Sequence, residues 1–188
     1  MNKVKKWQIV KSDMVLNHRW CQVRQDVIKL PNGQVIDDFF VIVKPDVALI
    51  LPITNNQEIV FVRQYRHGVG EILLELPAGN FNPATEDAAT AAMRELEEET
   101  GYVAEKVTKL ATQYDNPVKD TNKTHLFLAE NVTKTGKQTL DITEQIEVVL
   151  IPVESVVNKI VEGEIAVTGT VSALFLGLNL LNASKKPL

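Results

Sequence analysis

Cysteine, excess positive charge and long apolar runs are all scarce in this sequence, and each scarcity excludes a class of protein. Cys21 is the single cysteine, so no disulfide can form within the chain. The 20 lysines and arginines are outnumbered by 24 aspartates and glutamates, whereas general nucleic-acid binding requires clustered positive charge. The longest apolar stretches, Val47–Ile53 and 171–181, are shorter than the roughly 20 residues of a membrane-spanning helix. We therefore expect no nucleic-acid partner and no membrane partner.

The chain also lacks an apolar secretory segment at residues 1–6, which predicts a cytoplasmic protein. Its apolar residues make up 45% of 188 positions, enough for a core that needs no disulfide or metal to hold it together.

The first half of the chain is typical of antiparallel sheet. Two apolar runs, 20–30 and 34–43, flank the turn Pro31-Asn32-Gly33 and predict a β-hairpin. A second antiparallel pair is predicted at Val47–Ile53 and Glu58–Gln64, and a further strand at Ile72–Leu76.

After Pro83 the pattern changes to that of a helix. Thr85 is the predicted N-cap, Glu86 and Asp87 lie at the positive end of the helix, and Gly101 is the predicted C-cap. Strands are then predicted at Val103–Gln113, Thr124–Glu130 and Ile146–Ile151, and helices at Val153–Val161 and Gly169–Asn182.

This helix concentrates carboxylates on one side. A turn of about 100° per residue aligns Glu95 with Glu99 and places Glu98 about 60° away, while Glu97 points in nearly the opposite direction. Ala88, Ala91 and Ala92 are expected to leave space over the acids. Clustered carboxylates suit Mg²⁺ or Mn²⁺, and a solvated charged helix is the alternative, although like charges at this spacing cost roughly 0.2–0.5 kcal/mol per pair.

Residues 79–102 resemble the Nudix box, G-x5-E-x7-R-E-U-x-E-E-x-G-U, in which U is apolar. One departure is that six residues, rather than five, separate Gly79 from Glu86. The resemblance implies an α+β fold, a Nudix-type α/β/α sandwich with a mixed sheet, over residues 46–188, preceded by an N-terminal antiparallel β region at 1–45. The matching positions are Gly79, Glu86, Arg94, Glu95, Leu96, Glu98, Glu99, Gly101 and Tyr102.

The resemblance also implies a metal-dependent hydrolase. Magnesium, with manganese as a possible substitute, would be held by Glu95, Glu98 and Glu99 and by a main-chain carbonyl at Ala78 or Gly79. Arg94 would orient these acids, with a structural salt bridge as the alternative. Because the ligands and the base must be ionised, alkaline conditions should favour activity.

In similar enzymes a glutamate on a loop after the box activates water or binds metal. Glu144 is the first candidate here and Glu147 the second, and solvated loop acids are the alternative for both.

The segments around the box resemble ADP-ribose pyrophosphatases and other nucleoside diphosphate sugar pyrophosphatases. Arg66, Arg63 and Glu75 are the predicted substrate contacts, although Arg63 also fits a surface cation and Glu75 an edge-strand charge. Pro117, sixteen residues after Gly101, is associated with ADP-ribose hydrolysis. The residues that follow it depart from the relatives, which often have glycine and then acids in place of Val118-Lys119-Asp120.

The N-terminal region resembles one that swaps between two subunits in this subclass, and a homodimer is therefore expected. Trp7, Trp20 and Phe39 or Phe40 either stack on a purine base or pack in the core or the interface. Two other functions remain: a house-cleaning hydrolase of nucleoside triphosphates or dinucleoside polyphosphates, and a non-catalytic sensor that binds ADP-ribose-like ligands.

Overall fold

The computed structural model describes residues 3–184, and the chain divides into two compact units. One unit consists of the chain up to Pro45 together with Tyr114–Asn122, and the other of Asp46–Gln113 and the chain from Lys123 onward.

The first unit is built on a three-stranded antiparallel sheet, β1 (Gln8–His18), β2 (Cys21–Lys29) and β3 (Val35–Val43), in that order. The β2–β3 hairpin is the predicted one, and Gly33 takes the left-handed conformation that its turn requires, with φ 91°. Strand β1 was not predicted, because all its side chains are exposed and its sequence lacks the alternation of a half-buried strand.

The segment Tyr114–Asn122 adds to the edge of β3 in this unit. The Ile42 N–H donates to the Lys119 carbonyl at 2.8 Å, and the Thr121 N–H donates to the Ile42 carbonyl at 3.1 Å. Lys44 forms an ion pair with Asp120. The loop is therefore held to β3 through main-chain bonds, whatever its side chains contribute.

The second unit contains a mixed sheet, which has seven strands within the described residues. Its central order is β10-β5-β4-β9-β8, with β6 beside β5 and β7 beside β4, and β4 with β9 is the parallel pair. The strands are β4 (Asp46–Thr54), β5 (Glu58–Arg66), β6 (Glu71–Glu75), β7 (Ala78–Phe81), β8 (Thr108–Gln113), β9 (Thr124–Val132) and β10 (Ile146–Pro152).

Helices α1 (Ala88–Thr100) and α3 (Thr168–Ser184) cover opposite faces of this sheet, and the short α2 (Val156–Val161) follows a 3₁₀ turn at Val153–Ser155. Because successive β4 side chains point to opposite faces, Ile50 packs with α1 and Leu51 with α3. A Cβ on Gly177 of α3 would lie 2.3 Å from Leu51 Cδ2, so the helix approaches the sheet closely. The predicted α/β/α sandwich is confirmed.

Two local predictions were wrong, and one strand was missed. The helix begins after Asp87 rather than Thr85, since the Asp87 carboxylate accepts from the N–H groups of Ala89 and Thr90. The predicted strand 103–113 is regular only from Thr108, and Val103 forms an isolated bridge with Thr133. Strand β7 was missed, because its four residues, Ala78–Phe81, are too few to show a period.

The alanines of α1 do not leave space above the acids as expected. Ala91 and Ala92 are fully buried and pack with the α1-side cluster, which includes Ala48, Ile50 and Val60. Their small size lets the helix lie close to the sheet. No helix within residues 3–184 is both long and apolar enough to span a membrane.

Candidate active site

Packing of α1 on the sheet decides which of its glutamates face inward. Burial of Ala92 and Leu96 fixes the rotation of the helix. As a result Glu95 and Glu99 are 8% and 3% exposed, whereas Glu98 is half-buried and Glu97 is exposed. The helical spacing therefore separated Glu97 from the other three correctly, and the structure further separates Glu98 from the buried pair.

The start of β7 lies directly against the two buried carboxylates. The Ala78 N–H donates to Glu99 Oε2 at 3.1 Å. A Cβ on Gly79 would lie 2.0 Å from Glu95 Cδ, so any side chain at position 79 would displace that carboxylate. The box glycine is explained by this close approach rather than by a turn.

Burial raises the pKa of both inward-facing glutamates. For Glu99, burial and the neighbouring charges of Glu95 and Glu144 raise the pKa to about 8, against an opposing hydrogen bond from Ala78. For Glu95, burial again raises the pKa most, and the hydrogen bond from Arg94 opposes it. The buried face of α1 therefore carries two carboxyl groups whose ionised forms lack sufficient positive charge nearby.

Arg94 connects three acids of the box. Its Nε and Nη2 donate to the two carboxylate oxygens of Glu86, each at 3.0 Å. Its Nη1 donates to Glu95 Oε1 at 2.7 Å and Glu98 Oε2 at 2.8 Å, and these bonds raise its pKa. The extra residue in the preceding loop leaves Glu86 on this arginine, and Arg94 forms salt bridges with all three acids.

Arg66 and Glu75 form a second bidentate pair on the sheet face beneath α1. The Arg66 Nε and Nη2 donate to the Glu75 oxygens at 2.9 and 2.6 Å, and Glu75 is 7% exposed. Glu75 pairs in register with Val62, and β5 side chains alternate between faces, so Arg66 and Glu75 lie on the same side as Val62. Glu99 and Glu144 help raise the pKa of Arg66, after the larger effect of Glu75.

Arg63 and Glu147 are not brought to this group. They are paired in register on β5 and β10 and form an ion pair at 2.8 Å with both side chains largely exposed. Because Arg63 is three residues from Arg66 on one strand, it points to the opposite face.

Glu144 joins the site from the loop between β9 and β10. The side chain is half-buried, and its Oε2 accepts from the Asp141 N–H at 2.9 Å. Its charge contributes to the raised pKa of Glu95 and of Glu99. This loop acid, rather than Glu147, therefore lies within electrostatic range of the buried acids of α1.

The predicted residues of the N-terminal region and of the Pro117 loop belong to the other unit. Pro117 is exposed. Lys119 Nζ lies 4.5 Å above the Phe39 ring, and Trp7 meets that ring edge-on at a centroid distance of 5.8 Å. Trp20 is 66% exposed, with the Arg19 guanidinium over its ring.

Sequence reasoning missed Gln64, which lies on β5 between Arg63 and Arg66. Its side chain is 6% exposed, and the Nε2 group has no hydrogen-bond partner within residues 3–184. Gln64 follows Val60 and Val62 at alternate positions of β5, so the sequence pattern places it on the buried face of the strand. A buried amide requires a hydrogen-bond partner, and this requirement was the available signal that the residue could bind a ligand.

Comparison with known families identifies this arrangement. A model described as the NUDIX domain matches residues 43–168, which include the box, β4–β10 and Glu144. The chain belongs to the Nudix hydrolase family. A second model, the nucleoside diphosphate sugar hydrolase N-terminal domain, matches residues 7–42. The resemblance of residues 79–102 to the Nudix box is confirmed.

Individual relatives of this Nudix protein cover most of its length. It is 30% identical to the methanol dehydrogenase activator of Bacillus methanolicus over 93% of this chain and 94% of that protein. It is 33% identical to the ADP-ribose pyrophosphatase of Bacillus subtilis over 73% of this chain and 74% of that protein. A crystal structure of an ADP compounds hydrolase has the same fold, with a TM-score of 0.87 over 100% of both chains at 23% identity.

Proposed function

We propose that this Nudix protein hydrolyses the pyrophosphate bond of a nucleoside diphosphate sugar, of which ADP-ribose is the leading example. The products would be a nucleoside monophosphate and a sugar phosphate. The observation that carries the proposal is the group formed by the Arg66–Glu75 pair, the buried Glu95 and Glu99, and Glu144. The relative named as an ADP-ribose pyrophosphatase supports this substrate class.

We also propose that the site holds Mg²⁺, with Mn²⁺ as a substitute, on Glu95, Glu98, Glu99 and the Ala78 carbonyl. The donor set fits, because carboxylates and carbonyls are the ligands of hard cations, and burial raises the pKa of Glu95 and Glu99 in the absence of a cation. Within residues 3–184, no three acidic, histidine or cysteine side chains already form a group that could hold a metal ion, and Arg94 Nη1 binds both Glu95 and Glu98. A bound divalent cation would neutralise charge on the pyrophosphate oxygens.

The residues of the chain would then bind substrate and move one proton. Arg66 would bind a phosphate through its guanidinium, which Glu75 holds in a fixed orientation. Glu144 would accept a proton from the water that attacks one phosphorus, while the bridging P–O bond breaks and the second phosphate leaves. Arg94 would keep the carboxylates of Glu95 and Glu98 in place.

We further propose that the protein is a cytoplasmic homodimer that uses its N-terminal sheet. Strand β1 is exposed along its whole length, and its apolar side chains Ile9, Val10, Met14, Val15 and Leu16 are each about half exposed. Apolar surface of this kind is typical of a protein interface.

A substrate panel tests the activity. Purified protein is incubated with ADP-ribose, ADP-glucose, GDP-mannose, NADH and nucleoside triphosphates, each with Mg²⁺ or Mn²⁺, and released nucleoside monophosphate is measured. We expect a nucleoside diphosphate sugar to have the highest kcat/KM and EDTA to abolish turnover. Preference for nucleoside triphosphates would overturn the substrate class. Binding of ADP-ribose with no turnover of any compound would make the protein a sensor.

A further inference from the structure

The C-terminal end of α1 is bound by the loop that joins β9 to β10. The last carbonyls of a helix have no partner within the helix and must find one elsewhere. Gly101 takes the left-handed conformation, with φ 72°, and its N–H donates to the Glu97 carbonyl at 2.8 Å. The loop supplies the next two donors: the Thr139 N–H to the Glu98 carbonyl and Gln138 Nε2 to the Glu99 carbonyl, both at 2.8 Å.

The loop approaches the helix closely at this point. The Gly136 N–H donates to the Gly101 carbonyl at 3.1 Å. A Cβ on Gly136 would lie 2.7 Å from Glu97 Oε1, so a side chain at position 136 would displace that of Glu97. The contact is thus a continuous attachment over residues 136–139 rather than a single hydrogen bond.

Along the chain, Glu144 lies between this attachment and the first residue of β10. Residue 139 is bound to the helix, and residue 146 begins β10 and pairs with Gln64 of β5. The intervening residues 140–145 are folded back by the Glu144 N–H, which donates to the Asp141 carbonyl at 2.9 Å. The position of Glu144 therefore depends on both ends of a short segment.

Two residues of α1 belong both to the proposed site and to the helix end that the loop binds. Glu98 and Glu99 contribute carboxylates to the proposed site and carbonyls to the attachment of the loop. The Glu144 carboxylate is repelled by those of Glu95 and Glu99 when all are ionised. Held at both ends, the loop keeps Glu144 near like charges from which a free loop would move away.

We propose that Gln138 is a positioning residue, which fixes Glu144 relative to the carboxylates of α1 by binding the Glu99 carbonyl. This inference rests on the proposed function, in which Glu144 accepts a proton from water. Gln138 is itself exposed, so its replacement should leave the hydrophobic core unchanged.

Isosteric and donor-retaining variants test the inference in the Mg²⁺-loaded enzyme. Gln138→Glu keeps the shape but removes the donor, and we expect kcat to fall about 10- to 100-fold with KM within about twofold, since small misplacements of a reacting group carry such losses. Gln138→Lys keeps a donor and should retain most of the activity. Gln145→Glu is the matched control, because it introduces the same charge next to Glu144 in the same loop, and its kcat should stay within about twofold of wild type.

A double-mutant cycle separates positioning from general destabilisation. In a Glu144→Gln background, adding Gln138→Glu should lower kcat no further, because the group that it positions is already inactive. A kcat of Gln138→Glu within twofold of wild type, or an equal further loss in the Glu144→Gln background, would overturn the inference. If the wild-type enzyme itself turns over no nucleoside diphosphate sugar, it is the proposed function that fails.

Discussion

The acidic residues of the Nudix box differ in how much positive charge lies near them. Arg94 compensates Glu86 and Glu98 at the surface of the site and also contacts Glu95. Glu99 instead receives one neutral hydrogen bond from Ala78 while being 3% exposed. This contrast gives Glu99 a pH-dependent effect on the stability of the metal-free protein.

Glu99→Gln should stabilise the metal-free protein at pH 8 but not at pH 4.5. The folded-state pKa of Glu99 is about 8, against 4.5 for the free group. Below 4.5 the carboxyl is protonated in both states, so stability does not depend on it. Between the two values the folded state holds the extra proton, and the free energy of unfolding falls by about 1.4 kcal/mol per pH unit. Above pH 8 the ionisation of Glu99 lowers the free energy of unfolding no further.

Urea denaturation with EDTA at several pH values measures this effect. The free energy of unfolding of Glu99→Gln, relative to wild type, should rise with pH from 4.5 to 8 and then level off. Glu105→Gln, at an exposed position outside the helix, is the control and should show no such rise. A difference between Glu99→Gln and wild type that is constant with pH would show that the Glu99 carboxyl ionises normally in the folded protein.

Glu144→Gln and Glu147→Gln should differ in activity. Glu144 acts electrostatically on the buried acids, whereas Glu147 pairs with Arg63 at an exposed position. We expect kcat to fall about 10²- to 10⁴-fold for Glu144→Gln, the usual contribution of a general base. Glu147→Gln should stay within a few-fold of wild type. Steady-state kinetics with the best substrate of the panel compares them, and the reverse order would assign the role to Glu147.

Among the elements, α1 shows how a helix start is decided by its surroundings. Thr85, Glu86 and Asp87 are all compatible with the first residues of a helix by sequence. In the structure Asp87 caps the helix, Thr85 Oγ1 donates to the Asn82 carbonyl, and Glu86 binds Arg94 eight residues later. The choice of cap keeps Glu86 free for Arg94.

Asp87→Ala should destabilise the protein more than Thr85→Ala. The Asp87 carboxylate accepts from two N–H groups of the first turn, and loss of such a cap is expected to lower the Tm by about 2–4 °C in a chain of this size. Thr85→Ala should change the Tm by less than about 1 °C, because its hydroxyl binds a loop carbonyl in an exposed position. Thermal denaturation followed by circular dichroism measures both, and equal shifts would contradict the assignment of the cap.

At the scale of the whole molecule, the exposed apolar side chains of β1 are not explained by the fold of the first unit. Its β1 strand is paired on one side with β2 and has no buried residue, although it carries Met14 and Leu16 at 48% and 47% exposure. A long exposed strand with apolar side chains is prone to pair with another chain.

Met14→Lys/Leu16→Lys should convert the proposed dimer into a monomer. Charges placed in an apolar interface lose hydration without gaining a partner. Val161→Lys is the matched control, since Val161 is 82% exposed on α2 in the second unit and should leave the dimer intact. Sedimentation velocity distinguishes the two states. A monomeric wild type at micromolar concentration would exclude the dimer.

Local sequence patterns were enough to predict the helix of the box and the first hairpin. The period of the helix separates Glu97 from Glu95 and Glu99, and the turn Pro31-Asn32-Gly33 identifies the first hairpin, because these features depend on residues that are near one another in the chain. The order of strands and helices also allowed the sandwich to be predicted from the family resemblance.

Tertiary structure decided the surroundings of the box. The loop that carries Glu144 is bound to the end of α1, and Arg66 lies on the same sheet face as Glu75 because β5 pairs with β6 in one register. The close approach of Gly79 to Glu95 and the raised pKa of Glu99 likewise depend on distances and burial. The sequence alone determined which acids share a helix face; sheet register and packing decided which of them are buried and what lies opposite them, because those contacts join residues far apart in the chain.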